Sequence, residues 1–157
     1  MPARSVLLAG ADERDLTKLG EYQAIGGYAG VPKALKMKPE KLIEVLLASN
    51  LRGRGGAGFP MGRKASLIDR SSSKPKYLVV NADESEPGAF KDREVMAKVP
   101  HRLIEGCLIA AHAIECKDVY IYIRGEYLAE FEILERAVDE AREAGLFGEV
   151  EITVYRG

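Results

Sequence analysis

The sequence predicts an α/β fold: a Rossmann-like three-layer unit with a short parallel sheet, preceded by a helical and irregular N-terminal arm. Two observations carry this. From Lys76 onward, three β-branched and aromatic runs alternate with two segments of helical period, which is the strand–helix–strand–helix–strand order of parallel sheets joined by right-handed crossovers. The chain has 157 residues, of which 46% are hydrophobic and 30% charged, an ordinary globular composition. A chain of that size buries roughly 70% of its unfolded surface, enough for a core without disulfides or a structural metal.

Taken in order, residues 1 to about 38 read as an arm lying on something else. Gly20, Gly26, Gly27 and Gly30 interrupt regular structure, with Tyr22 and Tyr28 among them. Met1-Pro2-Ala3-Arg4 leads only into Val6-Leu7-Leu8-Ala9, too short for the apolar stretch of a signal peptide. Pro39-Glu40 opens a helix whose apolar face is Leu42, Ile43, Leu46 and Leu47, with Asn50 as its stop. A glycine-rich stretch, Leu51 to Gly62, and a polar linker, Arg70 to Pro75, follow.

Tyr77-Leu78-Val79-Val80 reads as a short buried strand. Pro100 to Glu115 is a helix with Leu103, Ile104, Cys107, Leu108, Ala111 and Ile114 on one face. Val119 to Ile123 is the second strand. Glu126 to Ala144 is the longer helix, with Tyr127, Leu128, Phe131, Leu134, Ala137, Val138 and Ala141 inward and Gly145 as its C-terminal glycine. Val150 to Tyr155 alternates as a third strand. The division expected is an arm and helix over 1–50 and an α/β domain over 51–157. The chain stops one residue past the rim of the third strand, so a fragment of something longer is expected.

Charge and cysteine usage exclude several functions. There are 23 Lys+Arg against 24 Asp+Glu, and no run approaches the roughly 18 apolar residues of a membrane span. Neither nucleic-acid binding nor membrane insertion is expected, and the chain reads as cytoplasmic. Between Arg52 and Lys76, however, seven basic residues stand against the single acid Asp69. Cys107 and Cys116 lie in or beside an apolar helical run, without zinc spacing, and read as buried reduced thiols. His101 and His112 have no partner pattern and read as structural.

Two loops carry the chemistry. Gly53-Arg54-Gly55-Gly56-Ala57-Gly58 fits the letters G-x-G-x-x-G, yet a helix precedes it and Phe59-Pro60 follows, so the dinucleotide fingerprint fails on context. What remains is a nest of glycine amides able to approach an anion, with Arg54, Arg63 and Lys64 adding positive field. In open α/β sheets the ligand sits beyond the carboxyl ends of the strands. There the first strand delivers Asn81-Ala82-Asp83-Glu84-Ser85-Glu86-Pro87-Gly88, whose carboxylates and amide can accept hydrogen bonds from sugar hydroxyls or a ring N–H, or could coordinate a hard cation. Arg124-Gly125-Glu126-Tyr127 stands at the second strand's end, either facing a ligand or starting a helix.

Five segments in this order resemble one family. They are Leu51 through Pro60, Gly62-Arg63-Lys64, Asn81 through Gly88, Phe90-Lys91-Asp92-Arg93, and Tyr122 through Tyr127. Together they are similar to the flavin-binding 51 kDa (or F) component of respiratory NADH dehydrogenase (complex I), and to related diaphorase subunits of NAD-linked hydrogenases and formate dehydrogenases. The resemblance runs from about Tyr22 to Gly157. It implies FMN and NAD as cofactors and hydride transfer from NADH to FMN, with electrons leaving singly to an iron–sulfur cluster. It implies that Gly53, Arg54, Gly55 and Gly56 line FMN, that Phe59 stacks on the adenine of NADH, and that Lys64 reaches the flavin or its phosphate side. Asn81 and Asp83 would hydrogen-bond the ribityl chain or flavin, and Glu86 would face the nicotinamide nucleotide. No catalytic acid–base residue is implied, because the cofactors carry the chemistry.

The family's usual Thr, Leu and Trp are replaced by Met61, Arg63 and Ala65. Its members continue past this point into a second glycine–glutamate loop, a ubiquitin-like domain and a four-cysteine 4Fe-4S domain. Cys107 and Cys116 alone cannot ligate such a cluster. Implied partners are NADH and other subunits of an electron-transfer complex, including a 2Fe-2S 24 kDa-type subunit, with attachment to the cytoplasmic membrane only through that complex. The alternatives are a hydrogenase or formate dehydrogenase diaphorase and a truncated, non-catalytic nucleotide-binding remnant.

Overall fold

The computed structural model describes residues 6–157, so the reading made on Met1-Pro2-Ala3-Arg4 falls outside the described residues. Three strands, β1 (Tyr77–Ala82), β2 (Asp118–Ile123) and β3 (Glu151–Arg156), form one parallel sheet in the order β1-β2-β3. The register pairs Val80 with Ile121 and Ile121 with Val154. Seven helices accompany them among the described residues: α1 (Leu19–Ala24), α2 (Gly30–Leu35), α3 (Pro39–Ser49), α4 (Met61–Ser66), α5 (Lys91–Lys98), α6 (Pro100–Ile114) and α7 (Leu128–Glu143).

The expected helices form for the reasons the sequence offers. Pro39 and Pro100 occupy the first turns of α3 and α6, where a missing N–H costs nothing. Asn50 and Glu115 end those helices in left-handed conformation, and Gly145 follows α7 at φ 71°. On α6, Ile104, Cys107, Ala111 and Ile114 make the apolar stripe, and on β2 Val119, Ile121 and Ile123 do so.

Four expectations need correction. Residues 77–80 are not a buried strand: Tyr77 and Val79 are 52% and 63% exposed, because β1 is an edge strand and helices cover one face of the sheet only, not both faces as the expected three-layer unit requires. The alternate residues Tyr120, Tyr122 and Tyr155 share that open face, with Tyr122 stacked on Tyr155 at 6.1 Å. On α7, Leu128 points to solvent and Glu130 is buried instead, since the covered stripe runs Glu130, Leu134, Ala137, Val138 and Ala141. On α3, Leu42 and Ile43 are buried but Leu47 is exposed. Finally, α4 and α5 are helices that the apolar periodicity does not show. One is six residues long, and the other buries only Met96.

The N-terminal arm packs against a second stripe of α6. Glu105 accepts hydrogen bonds from the Tyr22 hydroxyl (2.5 Å) and from the amides of Tyr28 (3.0 Å) and Gly30 (3.1 Å). Glu140 on α7 accepts the Leu19 amide at 2.8 Å. Tyr22, Tyr28, Val31 and Ala34 thereby join one continuous core with the residues of β2 and α6. The polar stretch after α4 is likewise tied down, because Arg70 binds the Ala113 carbonyl at 2.7 Å and pairs with Glu115.

His101 is fully buried between the arm and α7. Its Nδ1 lies 3.0 Å from the Tyr28 hydroxyl, and its Nε2 lies 3.3 Å from Glu140 without forming a proper hydrogen bond. Burial lowers its pKa, with Glu140 opposing. The unfolded chain therefore takes up a proton near pH 6.5 that the fold resists, so stability is complete above that value and declines as pH falls below it. Depressed carboxylates such as Glu84 and Glu126 act below about pH 4.5, outside this window. Denaturant titrations at pH 7.5 and 5.5 should show the loss in the wild type and a flatter dependence in His101→Gln. Equal slopes would remove His101 as the cause.

Candidate functional site

The glycine-rich loop is a closed turn between α3 and α4. The Gly53 amide donates to the Phe59 carbonyl (3.0 Å), and the Met61 amide donates to the Leu51 carbonyl (2.8 Å), so Arg52 and Pro60 pair antiparallel. Gly56 (φ 139°) and Gly58 (φ 64°) take conformations that side chains resist. No atom lies within 4 Å of where a Cβ would stand on Gly55, Gly56 or Gly58, so the backbone is bare on that side. Among the described residues, the amides of residues 54–59 donate to no protein acceptor.

The cations around this loop are also free. Arg70 and Lys76 reach Glu115, whereas Arg52, Arg54, Arg63 and Lys64 make no ion pair among the described residues. A cleft of about 510 Å³ opens here, lined by Ser49, Asn50, Leu51, Arg52, Gly53, Arg54 and Gly58. That volume lies within the usual range for small-molecule sites. Unpartnered amides and unpaired guanidinium and ammonium groups form a donor set that suits a phosphate ester such as that of FMN.

Helix α4 fixes this loop against α3. A Cβ on Gly62 would stand 2.5 Å from the Leu47 nitrogen, so only glycine allows the two backbones to meet. Phe59 is 48% exposed, and Lys64 is exposed in the last turn of α4.

The acidic loop leaves the carboxyl end of β1. Asn81 Oδ1 accepts the Asp83 amide (3.0 Å), and Asp83 Oδ2 accepts the Ser85 hydroxyl (3.0 Å), forming a local chain of turns. Asn81, Asp83 and Glu86 are exposed, while Glu84 is 5% exposed. The Glu84 carboxylate accepts the amides of Asp92 (3.0 Å) and Arg93 (3.1 Å) and pairs with Lys91 Nζ (3.2 Å). Burial raises its pKa, but these three donors outweigh burial and hold it below the ordinary carboxylate value.

At the end of β2, Arg124 donates to the Glu84 carbonyl (3.1 Å) and grips Glu126 with Nε and Nη2 (2.8 and 2.9 Å). That grip lowers the Glu126 pKa to about 2. The Arg93 and Arg124 guanidinium groups both lie over the Tyr127 ring, at 5.6 and 6.0 Å from its centre. Gly125 comes so close to Gly157 that a Cβ would stand 2.4 Å from its carbonyl oxygen, which brings the ends of β2 and β3 together.

The structure thus gathers Gly53 and Arg54 in one cleft and Asn81, Asp83 and Glu86 on one loop. The acidic loop does not line that cleft. No hydrogen bond or ion pair joins residues 51–62 to residues 81–88 among the described residues. Glu84 and Glu130 were missed by sequence reasoning, since a run of acids carries no signal separating inward from outward. The alternation continuing from β1, with Ala82 in, Asp83 out and Glu84 in, was the one available cue.

The two cysteines and His112 are taken up in packing. Cys107 and Cys116 are free and buried, and burial pushes the Cys107 thiol up to about 12, far from a reactive thiolate. His112 Nε2 lies 2.9 Å from the Met37 carbonyl. No group of three metal-ligating side chains occurs among the described residues, and no helix described is long and apolar enough to cross a membrane.

A parallel sheet with an acidic loop at its strand ends, together with a bare glycine turn packed on α3, has the parts of a nucleotide-binding α/β domain. Comparison with known proteins narrows the class. The family model described as the Nuo51 FMN-binding domain matches residues 46–157, and the chain belongs to that family.

Among its relatives, the F 2 subunit of NADH-quinone oxidoreductase from Rhizobium meliloti (strain 1021) is 49% identical over 91% of this chain and 34% of its own length. The F subunit of NADH-quinone oxidoreductase from Aquifex aeolicus (strain VF5) is 45% identical over 98% of this chain and 38% of its own. A solved structure, the NAD+-reducing [NiFe]-hydrogenase in the H2-reduced state, superposes with a TM-score of 0.73 at 30% identity, covering 98% of this chain and 25% of that one. The chain spans about a third of the length of the curated relatives it matches.

Proposed function

We propose that this chain carries the FMN-binding part of an NADH:quinone oxidoreductase flavoprotein subunit. The glycine turn receives the flavin phosphate side, and the acidic loop receives polyol and nucleotide hydroxyls. The observation that carries the reading is the pairing of bare, unpartnered amides at 54–59 with the unpaired cations Arg52, Arg54, Arg63 and Lys64. Family membership over residues 46–157 supports FMN as the ligand.

Gly53, Arg54, Gly55 and Gly56 line the flavin in this reading. Exposed Phe59 offers a face for the adenine of NADH, and Lys64 supplies charge. Asn81 and Asp83 bind the ribityl chain or flavin, and Glu86 faces the nicotinamide nucleotide. Residues 51–157 hold this site, and the described residues 6–50 form the arm and helix that brace it. When bound, FMN would accept a hydride from NADH and release electrons singly to an iron–sulfur centre outside this chain's two cysteines. The relatives' names place them in multi-subunit oxidoreductases. We extend that to this chain: a cytoplasmic location, peripheral to the membrane through its complex, with a 2Fe-2S 24 kDa-type subunit among its partners.

Quenching of flavin fluorescence tests the reading. FMN should bind once per chain, with micromolar or weaker affinity, and more tightly than riboflavin, which lacks the phosphate. Arg54→Ala should weaken FMN roughly 10-fold or more, the scale of one charge-assisted hydrogen bond, and riboflavin hardly at all. Equal binding of FMN and riboflavin, or no saturable quenching by either, overturns the assignment.

A further inference from the structure

Helix α5 begins without a cap of its own. Its N-cap position is Phe90, which has no side chain able to accept the free amides of the first turn. Glu84, eight residues from Asp92, supplies the acceptor from outside the helix, taking the Asp92 and Arg93 amides on its two oxygens. Its own carbonyl meanwhile accepts Arg124 Nη1 from the far end of β2. One residue thereby ties the β1–α5 loop, the start of α5 and the β2–α7 turn together. Its neighbours Asp83, Ser85 and Glu86 stand in solvent on either side of it.

We propose that Glu84 is a positioning residue. Anchored by its carboxylate on α5 and by its carbonyl on Arg124, it sets where the Asp83 and Glu86 carboxylates stand at the sheet's rim. This rests on the reading of Asp83 and Glu86 as cofactor-facing. A free acid in this exposed loop would sample many rotamers, whereas a neighbour of a buried, triply bonded carboxylate has its backbone fixed. Groups that must meet a ligand's hydroxyls need that fixed backbone. The loop's other restraint, the Asn81–Asp83–Ser85 turn, is exposed and local.

The test pairs amide hydrogen exchange with FMN titration in this chain. Glu84→Ala should speed exchange at Asp92 and Arg93 at least 10-fold and move the amide resonances of Asp83 and Glu86, leaving Ile121 and Leu134 unchanged. FMN affinity should fall about 10-fold, and less in Glu84→Gln, which keeps one acceptor oxygen. Asp83→Asn should weaken FMN in the wild type but add little in the Glu84→Ala background, because the Asp83 carboxylate is already misplaced there.

Additive losses, or faster Asp92 exchange with unchanged FMN affinity, would reduce Glu84 to a helix cap and overturn the proposal. If wild-type chain binds no FMN, the proposed function falls. The positioning claim then stands or falls on whether the Asp83 and Glu86 resonances move. Should Glu84→Ala not fold, Arg124→Gln releases the Glu84 carbonyl, together with Glu126, while the Glu84 carboxylate stays on α5, and it must shift the same two resonances, or the claim fails.

Discussion

Gly62→Ala is expected to lower the thermal midpoint of this protein by about 3 to 10 °C, from an overpacking cost of roughly 1–3 kcal/mol in a chain of this size. The added Cβ would meet the Leu47 nitrogen at 2.5 Å, the Leu46 carbonyl carbon at 2.7 Å and the Leu47 Cα at 2.8 Å. All three are backbone atoms of α3, so no side chain can swing aside. The helices must separate instead. The only covalent connection between α3 and α4 is the glycine turn, whose closure depends on the Gly53–Phe59 and Met61–Leu51 hydrogen bonds. Separation should therefore open the turn as well and weaken FMN beyond what the lost stability explains. Calorimetry alongside flavin titration checks both parts. An unchanged midpoint would mean that α3 and α4 do not meet at Gly62.

Glu105→Ala should cost about 3–5 kcal/mol in urea unfolding, as one residue's removal strands three donors of the arm. The Tyr22 hydroxyl and the Tyr28 and Gly30 amides all point at this one carboxylate. Tyr22 and Tyr28 are nearly fully buried, so water cannot simply replace the lost acceptor. Glu105→Gln, which retains one good acceptor, should lose less than half as much. The same contact explains why burial and the Glu105 carboxylate push the Tyr22 phenol up to about 12. Limited proteolysis should cut the arm of the alanine variant while the sheet persists. A loss under about 1 kcal/mol would show that the apolar contacts of Tyr22, Tyr28 and Val31 hold the arm unaided.

Much of the fold was legible because periodicity and capping are local properties. Helices α6 and α7 and strands β2 and β3 were readable to within about two residues, since each shows an apolar stripe of the right period between recognisable stops. The arm was less so. Glycine density hid α1 and α2, and nothing in residues 19–35 announces that Tyr22 and Tyr28 dock on Glu105 and His101. Helix α4 was hidden by its six-residue length. Helix α5 was hidden because it is mostly charged and is capped by Glu84 from another segment.

The amino-acid sequence alone settled the α/β class, the order of its strands along the chain and the family to which its ordered motifs belong, since these depend on residue type and spacing. Tertiary structure decided which residues of each motif turn inward. Burial depends on what covers a strand or loop, and that lies elsewhere in the chain. It left β1 at an edge with Val79 in solvent, turned Glu130 inward in place of Leu128, and made Glu84 the one buried acid in its loop, between exposed Asp83 and Glu86. It also placed the glycine turn in a cleft of its own, with no bond to the acidic loop, because α4 packs that turn onto α3 while the acidic loop is pinned to α5.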